Sequence, residues 1–217
     1  MTLALFDLDN TLLSGDSDYE WGGFLVSQNI VDEKTYQEAN QKFYDDYKAG
    51  KLDIVEFSAF SFEPLSRLSM QELAKLHQRF METVIRPLIT DKAKKLVEKH
   101  RSLKHTLVII TATNSFITRP IAQEFGIEHL IATEPKIVDG RYTQEIDGIP
   151  CFKEGKVKRL KQWLEQHNET LTGSYFYSDS HNDLPLLEKV EIPIAVNPDE
   201  ILTEIAQKRD WKIISLR

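Results

Sequence analysis

Leu3-Ala4-Leu5-Phe6-Asp7-Leu8-Asp9-Asn10-Thr11-Leu12 is the stretch that decides how this chain is read. Residues 3–6 are a short uninterrupted apolar run, the pattern of a strand buried on both faces of a parallel sheet. The run ends in two carboxylates, Asp7 and Asp9. Side chains two apart on an extended chain point the same way, so both acids face one spot beyond the strand's carboxyl end. Open α/β sheets bind their ligands there. Two carboxylates ~4 Å apart repel by about 4 kcal/mol at an effective dielectric of 20. Either one keeps a proton or a cation sits between them, and an oxygen-rich site of this kind suits Mg²⁺. Asp is also common in turns and helix caps, but here the acids interrupt an apolar run and Thr11 continues the alternation. An EF-hand loop starting at Asp7 fails, because Leu12 stands where the turn Gly belongs and Asp18 where the bidentate Glu belongs.

Composition narrows the function further. At 217 residues there is room for one domain or for a core with an insertion. The hydrophobic fraction of 41% and charged fraction of 28% are ordinary for a globular protein. A net charge of −7 argues against nucleic acid as a partner, since a phosphate backbone needs a basic face. The single Cys151 leaves no intrachain disulfide and fits a reducing, cytoplasmic setting. The apolar start flows straight into Asp7, unlike a secretory signal, and no run is long enough to span a membrane. A monomer or weak dimer is expected.

Residues 17–86 read as helical. One helix begins after Ser17 or Asp18, with Trp21, Phe24 and Leu25 on one face. A second runs from about Asp32, with Tyr36, Phe43, Tyr44 and Tyr47 at helical spacing, to Gly50. A third covers about 53–62 and stops before Pro64. Ser69-Met70-Gln71-Glu72 is a capping box that opens a fourth, ended by Pro87. Residues 14–86 hold 13 Asp or Glu against 8 Lys or Arg, either a solvated acidic face or a lid suited to a cationic substrate group. After Pro87 the pattern alternates. Thr90 caps a helix to about Leu103, and 105–111 is a second buried strand ending at Thr111. A helix follows from Asn114, with Pro120 as a break or kink and Gly126 as its stop. Residues 130–132 read as a strand, 137–146 as a hairpin turning at Asp139-Gly140, and Lys156 opens a helix. Strands at 174–178 and 192–196 and an edge strand near 211–215 complete the pattern. Strands alternating with helices predict a three-layer, Rossmann-like α/β fold with a parallel sheet. Residues 16–86 interrupt it as an all-helical cap, leaving 1–15 and 87–217 as the core.

Polar groups collect at four strand or helix ends. Thr111-Ala112-Thr113-Asn114 offers a hydroxyl and backbone N–H groups leading into a helix, a phosphate-binding arrangement. Lys156 sits at a helix start, where a cation opposes the dipole. Asp179 directly ends an apolar strand, and Asp183 is either a site acid or a helix cap. His181 has no second His or Cys nearby to complete a transition-metal site.

These four motifs, in order and spacing, resemble those of the haloacid dehalogenase-like hydrolases, and the chain is most similar to the phosphoserine phosphatase-like subfamily with its helical cap between motifs one and two. The resemblance implies Asp7 as nucleophile and Asp9 as general acid/base. It implies Thr111, Ala112, Lys156 and Asn182 around the phosphate, and Mg²⁺ held by Asp7, Asp9 through its carbonyl, and Asp179, with Asp183 supporting. The expected reaction is Mg²⁺-dependent hydrolysis of a small phosphomonoester through an aspartyl-phosphate. A metal-free haloacid dehalogenase or a non-enzymatic phospho-acceptor module is the alternative. The sequence departs from phosphoserine phosphatases at Thr111-Ala112-Thr113, where those have Ser-Gly-Gly. It departs again at Asp16, where those carry an amine-binding Glu, and at Ser178-Asp179-Ser180, where the motif is usually Gly-Asp-Gly-rich. The reaction therefore carries over better than the substrate. Asp16, Asp18, Glu20 and Trp21 are the expected specificity residues, for an amine-bearing, phosphoserine- or histidinol-phosphate-like ester.

Overall fold

The computed structural model describes residues 2–217; Met1, first residue of the expected core, lies outside the described residues. The strands of the main sheet are β1 (Leu3–Phe6), β2 (Thr106–Asn114), β3 (His129–Thr133), β6 (Tyr175–Ser178), β7 (Ile192–Val196) and β8 (Lys212–Ile214). They lie in the order β3-β2-β1-β6-β7-β8, every neighbouring pair parallel. Sequence order reverses between β1 and β6, which creates the crevice where such sheets bind ligands. Asp7 and Asp179 are the first residues beyond those two strands.

β1 is buried along its whole length because strands flank it and helices cover both faces. Ala4 and Phe6 face one hydrophobic layer, and Leu3 and Leu5 face the other. The second layer is closed by Leu160 and Trp163 of α8 (Glu154–His167) and by Leu202 and Ala206 of α10 (Glu200–Lys208). The first is closed by Ala93 and Val97 of α6 (Asp91–Ser102) and by Ile117 and Ile121 of α7 (Ser115–Glu124). This is the three-layer α/β architecture that the alternation predicted.

Between β1 and β2 the chain is helical, as α1 (Ser17–Ser27), α2 (Glu33–Lys48), α3 (Ile54–Arg67) and α4 (Met70–Phe80). A π-helical turn (Met81–Ile85) then leads into α5 (Arg86–Leu88). Local chemistry sets their starts. Asp16, Asp32 and Asp53 accept from backbone N–H groups as N-caps, and Ser69 with Glu72 forms the expected capping box. Trp21, Phe62, Leu65 and Phe80 join the same hydrophobic cluster as Phe6, so these helices share the apolar layer on one face of the sheet. α2 differs, having no fully buried residue. The hairpin of β4 (Pro135–Val138) and β5 (Arg141–Ile146) lies against α3 and turns at Asp139 and Gly140, both at positive φ, as a type I′ turn requires.

Several boundaries differ from the sequence reading, among them the start of α8 at Glu154 two residues before Lys156. α3 runs through Pro64 instead of stopping before it. An interior proline costs about 3 kcal/mol, and burial of Phe62, Pro64 and Leu65 offsets it at roughly 1.5–3 kcal/mol per large apolar side chain. Pro87 lies inside α5, and the chain leaves the helix only after Leu88. β2 continues three residues past Thr111 because pairing with β3 resumes at Asn114 and Thr133 beyond a bulge. α7 continues through Pro120. The sequence reading did not anticipate α10, whose start is the Asp199 cap. Among the described residues no helix is long and apolar enough to cross a membrane.

Candidate active site

Beyond Phe6 the chain leaves the sheet in a π-helical turn, Leu8–Leu12, interrupted by extended Asp9 and left-handed Asn10 (φ 56°, ψ −4°). Asn is among the non-glycine residues most at ease there. The turn gives the two acids different surroundings. Asp9 accepts the Ser17 N–H at 2.6 Å on one oxygen and the Thr113 hydroxyl at 2.8 Å on the other. Asp7 instead meets Lys156, whose Nζ donates to its Oδ1 at 2.7 Å.

Lys156 projects from the first turns of α8 and is 3% exposed. Its ammonium also donates to Asp183 Oδ2 at 2.8 Å, and the Ser178 hydroxyl donates to that same oxygen at 2.7 Å. The Thr11 hydroxyl lies between two acids, 3.3 Å from Asp7 Oδ2 and 3.2 Å from Asp179 Oδ1. The site thus brings two buried carboxylates, Asp7 and Asp183, onto one buried cation, with half-buried Asp179 joined to Asp7 through Thr11. Asp179 has no cationic partner among the described residues.

Burial dominates the electrostatics. It pushes the Asp7 carboxyl up to about 7 against the pull of Lys156. It pushes Asp9 up to about 6, with Asp16 adding to the rise, and the Ser17 and Thr113 bonds oppose it. Burial, then Asp7 and Asp183, raise Asp179 well above the usual carboxylate range. Burial works against the Lys156 charge, but Asp183 and Asp7 outweigh it and hold the ammonium protonated. A site with this surplus of buried anionic oxygen is suited to a divalent cation near Asp7 and Asp179.

Asp7, Asp9, Thr111, Ala112 and Thr113 form one end of a partly open cavity, and Asp16, Asp18 and Tyr19 line its side. Asn40, Phe43, Tyr44 and Tyr47 of α2, with Phe57 of α3, close it. Asp16 both caps α1 and faces the cavity, and burial pushes its carboxyl up to about 6. Asp18, pushed up to about 7 by burial, accepts from the Ser61 hydroxyl at 3.0 Å.

Two expected specificity residues are placed elsewhere. Trp21 is 1% exposed and packs on Phe24, Phe80 and Phe116 inside the core, enclosed by rings from α1, α4 and α7. Glu20 does not line the cavity either. The 111–114 stretch is partly self-satisfied: Thr111 Oγ1 accepts the Thr113 N–H at 3.2 Å, and Asn114 caps its own helix. Asn182 Nδ2 donates to the Tyr47 carbonyl at 3.0 Å. Sequence reasoning missed Thr113 and Tyr47. The first had a signal, since Thr113 follows Thr111 by one strand period. The second had none, being one ring in an aromatic helical stripe.

The chain as a whole is similar to other proteins. A histidinol-phosphatase from Neisseria meningitidis is 44% identical over 99% of both chains. A solved structure of a protein of unknown function from Bordetella pertussis superposes with a TM-score of 0.94 at 46% identity over the whole of both chains. A substrate-bound phosphoserine phosphatase shares the fold alone, with a TM-score of 0.73 at 19% identity over 98% of this chain and 92% of its own. The family model for haloacid dehalogenase-like hydrolases matches residues 4–188, from β1 to just past Asp183. With the acids of β1 and β6 and the lysine of α8 gathered at the sheet's switch point, the chain belongs to the haloacid dehalogenase-like hydrolases.

Proposed function

We propose that this protein is a Mg²⁺-dependent phosphomonoesterase working through an aspartyl-phosphate on Asp7, with a small amine-bearing metabolite as substrate. The observation that carries this reading is the division of labour between two neighbouring acids. Asp7 is held by a buried ammonium, while Asp9 is held apart by Ser17 and Thr113. Acids whose environments differ in this way suit different roles. Asp7 attacks phosphorus, the bond to the ester oxygen breaks, and Asp9 gives its proton to the leaving alkoxide. Asp9, now a carboxylate, takes a proton from the water that attacks the aspartyl-phosphate, releasing inorganic phosphate and restoring Asp7. Lys156, the Thr111 hydroxyl, the Ala112 backbone and Asn182 neutralise or orient the phosphoryl oxygens. Asp183 keeps Lys156 in place.

The donor set fits Mg²⁺. Asp7, Asp179 and the Asp9 carbonyl would hold it, Asp183 lies beside them, and a dication would supply the cationic partner that Asp179 lacks among the described residues. When bound, the ion supplies charge neutralisation at the transferring phosphoryl group. Among the described residues no group of three His, Cys, Asp or Glu side chains is arranged to hold a metal by itself. Mg²⁺ is commonly bound by one or two carboxylates with water and phosphate filling the rest.

Residues 16–86 serve as a cap over a core of 1–15 and 87–217, a division supported by α2, whose exposed helix carries the rings that roof the cavity. The cavity's chemistry selects the leaving group. It presents Asp16, Asp18 and the rings of Tyr19, Phe43, Tyr44 and Phe57, and no Lys or Arg among its described lining. An ammonium or imidazolium meets carboxylates and ring faces. A substrate carboxylate would enter against two acids with no cation to receive it. This favours a histidinol-phosphate-like ester over a phosphoserine-like one and agrees with the name of the Neisseria relative. A cytoplasmic setting and a monomer or weak dimer belong to the same proposal.

The test is phosphate release from p-nitrophenyl phosphate with and without Mg²⁺, followed by kcat/KM for histidinol phosphate and phosphoserine. No Mg²⁺-dependent turnover would overturn the reaction, and a preference for phosphoserine would overturn the substrate class.

A further inference from the structure

One side chain of the cap reaches the catalytic acids. Tyr47, in the last turn of α2, lines the cavity that contains Asp7 and Asp9 and also lines a second cleft that contains Asp179, Ser180 and His181. Its ring therefore stands between the leaving-group cavity and the Asp179 side of the site. The buried hydroxyl lies beside the Ser180 side chain, within electrostatic reach of Asp179, Asp183 and Asp7. Ser180 directly follows Asp179, and its Oγ accepts the Asn182 N–H at 3.2 Å, capping the 3-10 turn His181–Asp183 that presents Asp183.

Two more contacts fix the same end of α2. Asn182 donates to the Tyr47 carbonyl at 3.0 Å, and Lys153 Nζ donates to the Gly50 carbonyl at 2.8 Å. Lys153 lies three residues before Lys156 and holds a left-handed backbone (φ 47°, ψ −120°) that non-glycine residues rarely adopt. Gly50 has φ +66°, a conformation that favours glycine, and a Cβ there would stand 3.0 Å from His181 Nε2, so the imidazole would have to give way. All three tethers run from one helix end to the loop of acids or to the start of the lysine helix.

We infer that Tyr47 is a positioning residue of the reaction, supplied by the cap, which ties the seating of the C-terminal end of α2 to the placement of the 179–183 loop. The inference rests on the proposed phosphatase reading, in which that loop serves cation and phosphate. The tie is made to the loop and not to the leaving group, so it acts on every substrate alike. Coupling between two sites is reciprocal, so a divalent cation at Asp179 orders the end of α2 in return.

The experiment titrates Mg²⁺ alone into wild-type, Tyr47→Phe and Lys153→Met proteins, followed by calorimetry and by amide hydrogen exchange of residues 44–52. In the wild type Mg²⁺ should slow exchange across this segment. Tyr47→Phe should lose that protection and bind Mg²⁺ roughly two- to tenfold more weakly, the scale of one net hydrogen bond. Its kcat/KM should fall by a similar factor on p-nitrophenyl phosphate and on the amine-bearing substrate. Lys153→Met, which touches no acid, should weaken the same protection and carries the readout if Tyr47→Phe does not fold. Exchange at 44–52 that ignores Mg²⁺ in a wild type that binds it overturns the inference. So does protection retained in both variants, or a loss confined to the amine-bearing substrate, which would make Tyr47 only a cavity wall. A wild type that neither binds Mg²⁺ nor turns over phosphate esters sinks the phosphatase reading itself, and the inference with it.

Discussion

Asp18→Asn removes one charge from the leaving-group cavity while keeping its shape. Asp18 is 9% exposed, and the Ser61 hydroxyl that donates to it at 3.0 Å can donate equally to an amide oxygen. Facing a substrate ammonium, the carboxylate makes a charge-assisted contact worth roughly 1.5–3 kcal/mol, or about ten- to hundredfold in kcat/KM. The amine-bearing ester should lose that much in the variant, and p-nitrophenyl phosphate, which has no ammonium, should stay within roughly twofold, a difference of about 0.4 kcal/mol. Burial, with Asp9 adding to it, pushes the Asp18 carboxyl up to about 7, so the wild-type preference for the amine should be present above that pH and fade as pH falls through it. Stability runs the other way. Between about pH 4 and 7 the folded state keeps a proton that the unfolded chain has released, so folding weakens as pH rises through that window. Above it the ionised, buried carboxylate costs up to about 4 kcal/mol. Asp18→Asn should therefore melt several degrees higher than wild type at pH 8, and the gap should close toward pH 4. The assays are parallel kcat/KM measurements on the two substrates and thermal melts across pH. Equal losses on both substrates, or no gain in melting temperature at pH 8, would refute the assignment. Asp16 is the poorer probe despite its better match in spacing, because it also caps α1 and its removal costs about 1 kcal/mol of helix stability.

Asp7→Asn should abolish turnover with the fold retained; substantial phosphate release by a folded variant, checked by circular dichroism, would remove Asp7 from the nucleophile's role. Asp9→Asn should cost roughly 10²- to 10⁴-fold on alkyl phosphates, the usual scale of general acid–base catalysis, and less on aryl phosphates, whose leaving groups need no proton. Parallel losses on both ester types would count against the acid half of its role. His100, 1% exposed between Tyr177 and His105, is pushed down to about 4 by burial, with His105 and Lys99 adding. The unfolded chain protonates it near 6.5, so stability should be intact above about pH 6.5 and fall by about 3 kcal/mol as pH drops to 4. Urea melts of wild type and His100→Gln at pH 7 and 4.5 should differ in their acid sensitivity, and identical pH dependence would exclude His100 as its source.

The sequence by itself determined what local chemistry can write. Apolar runs stopped by acids placed Asp7 and Asp179 at strand ends, and an unfavourable cation at a helix start singled out Lys156. Ser69 with Glu72, Thr90, and Asp139 with Gly140 marked their caps and turn because each acts within three or four residues. The parallel sheet followed from the alternation of strands and helices, and the order of the four motifs pointed to the family. Tertiary structure decided whatever depends on partners far along the chain. α3 passes through Pro64 because burial of Phe62, Pro64 and Leu65 in the shared apolar cluster outweighs a lost amide bond. Trp21 belongs to the core and Asp18 to the cavity although they lie one turn apart on one side of α1, because Phe80 and Phe116 surround the first and Ser61 and the cavity meet the second, which no spacing rule assigns in advance. Thr113 reaches Asp9 across 104 residues, and Asn182 reaches Tyr47 across 135. Such contacts exist only once β1 and β2 have paired and the helices between them have packed, where apolar burial, which has no direction of its own, fixes the distances at which the polar groups meet.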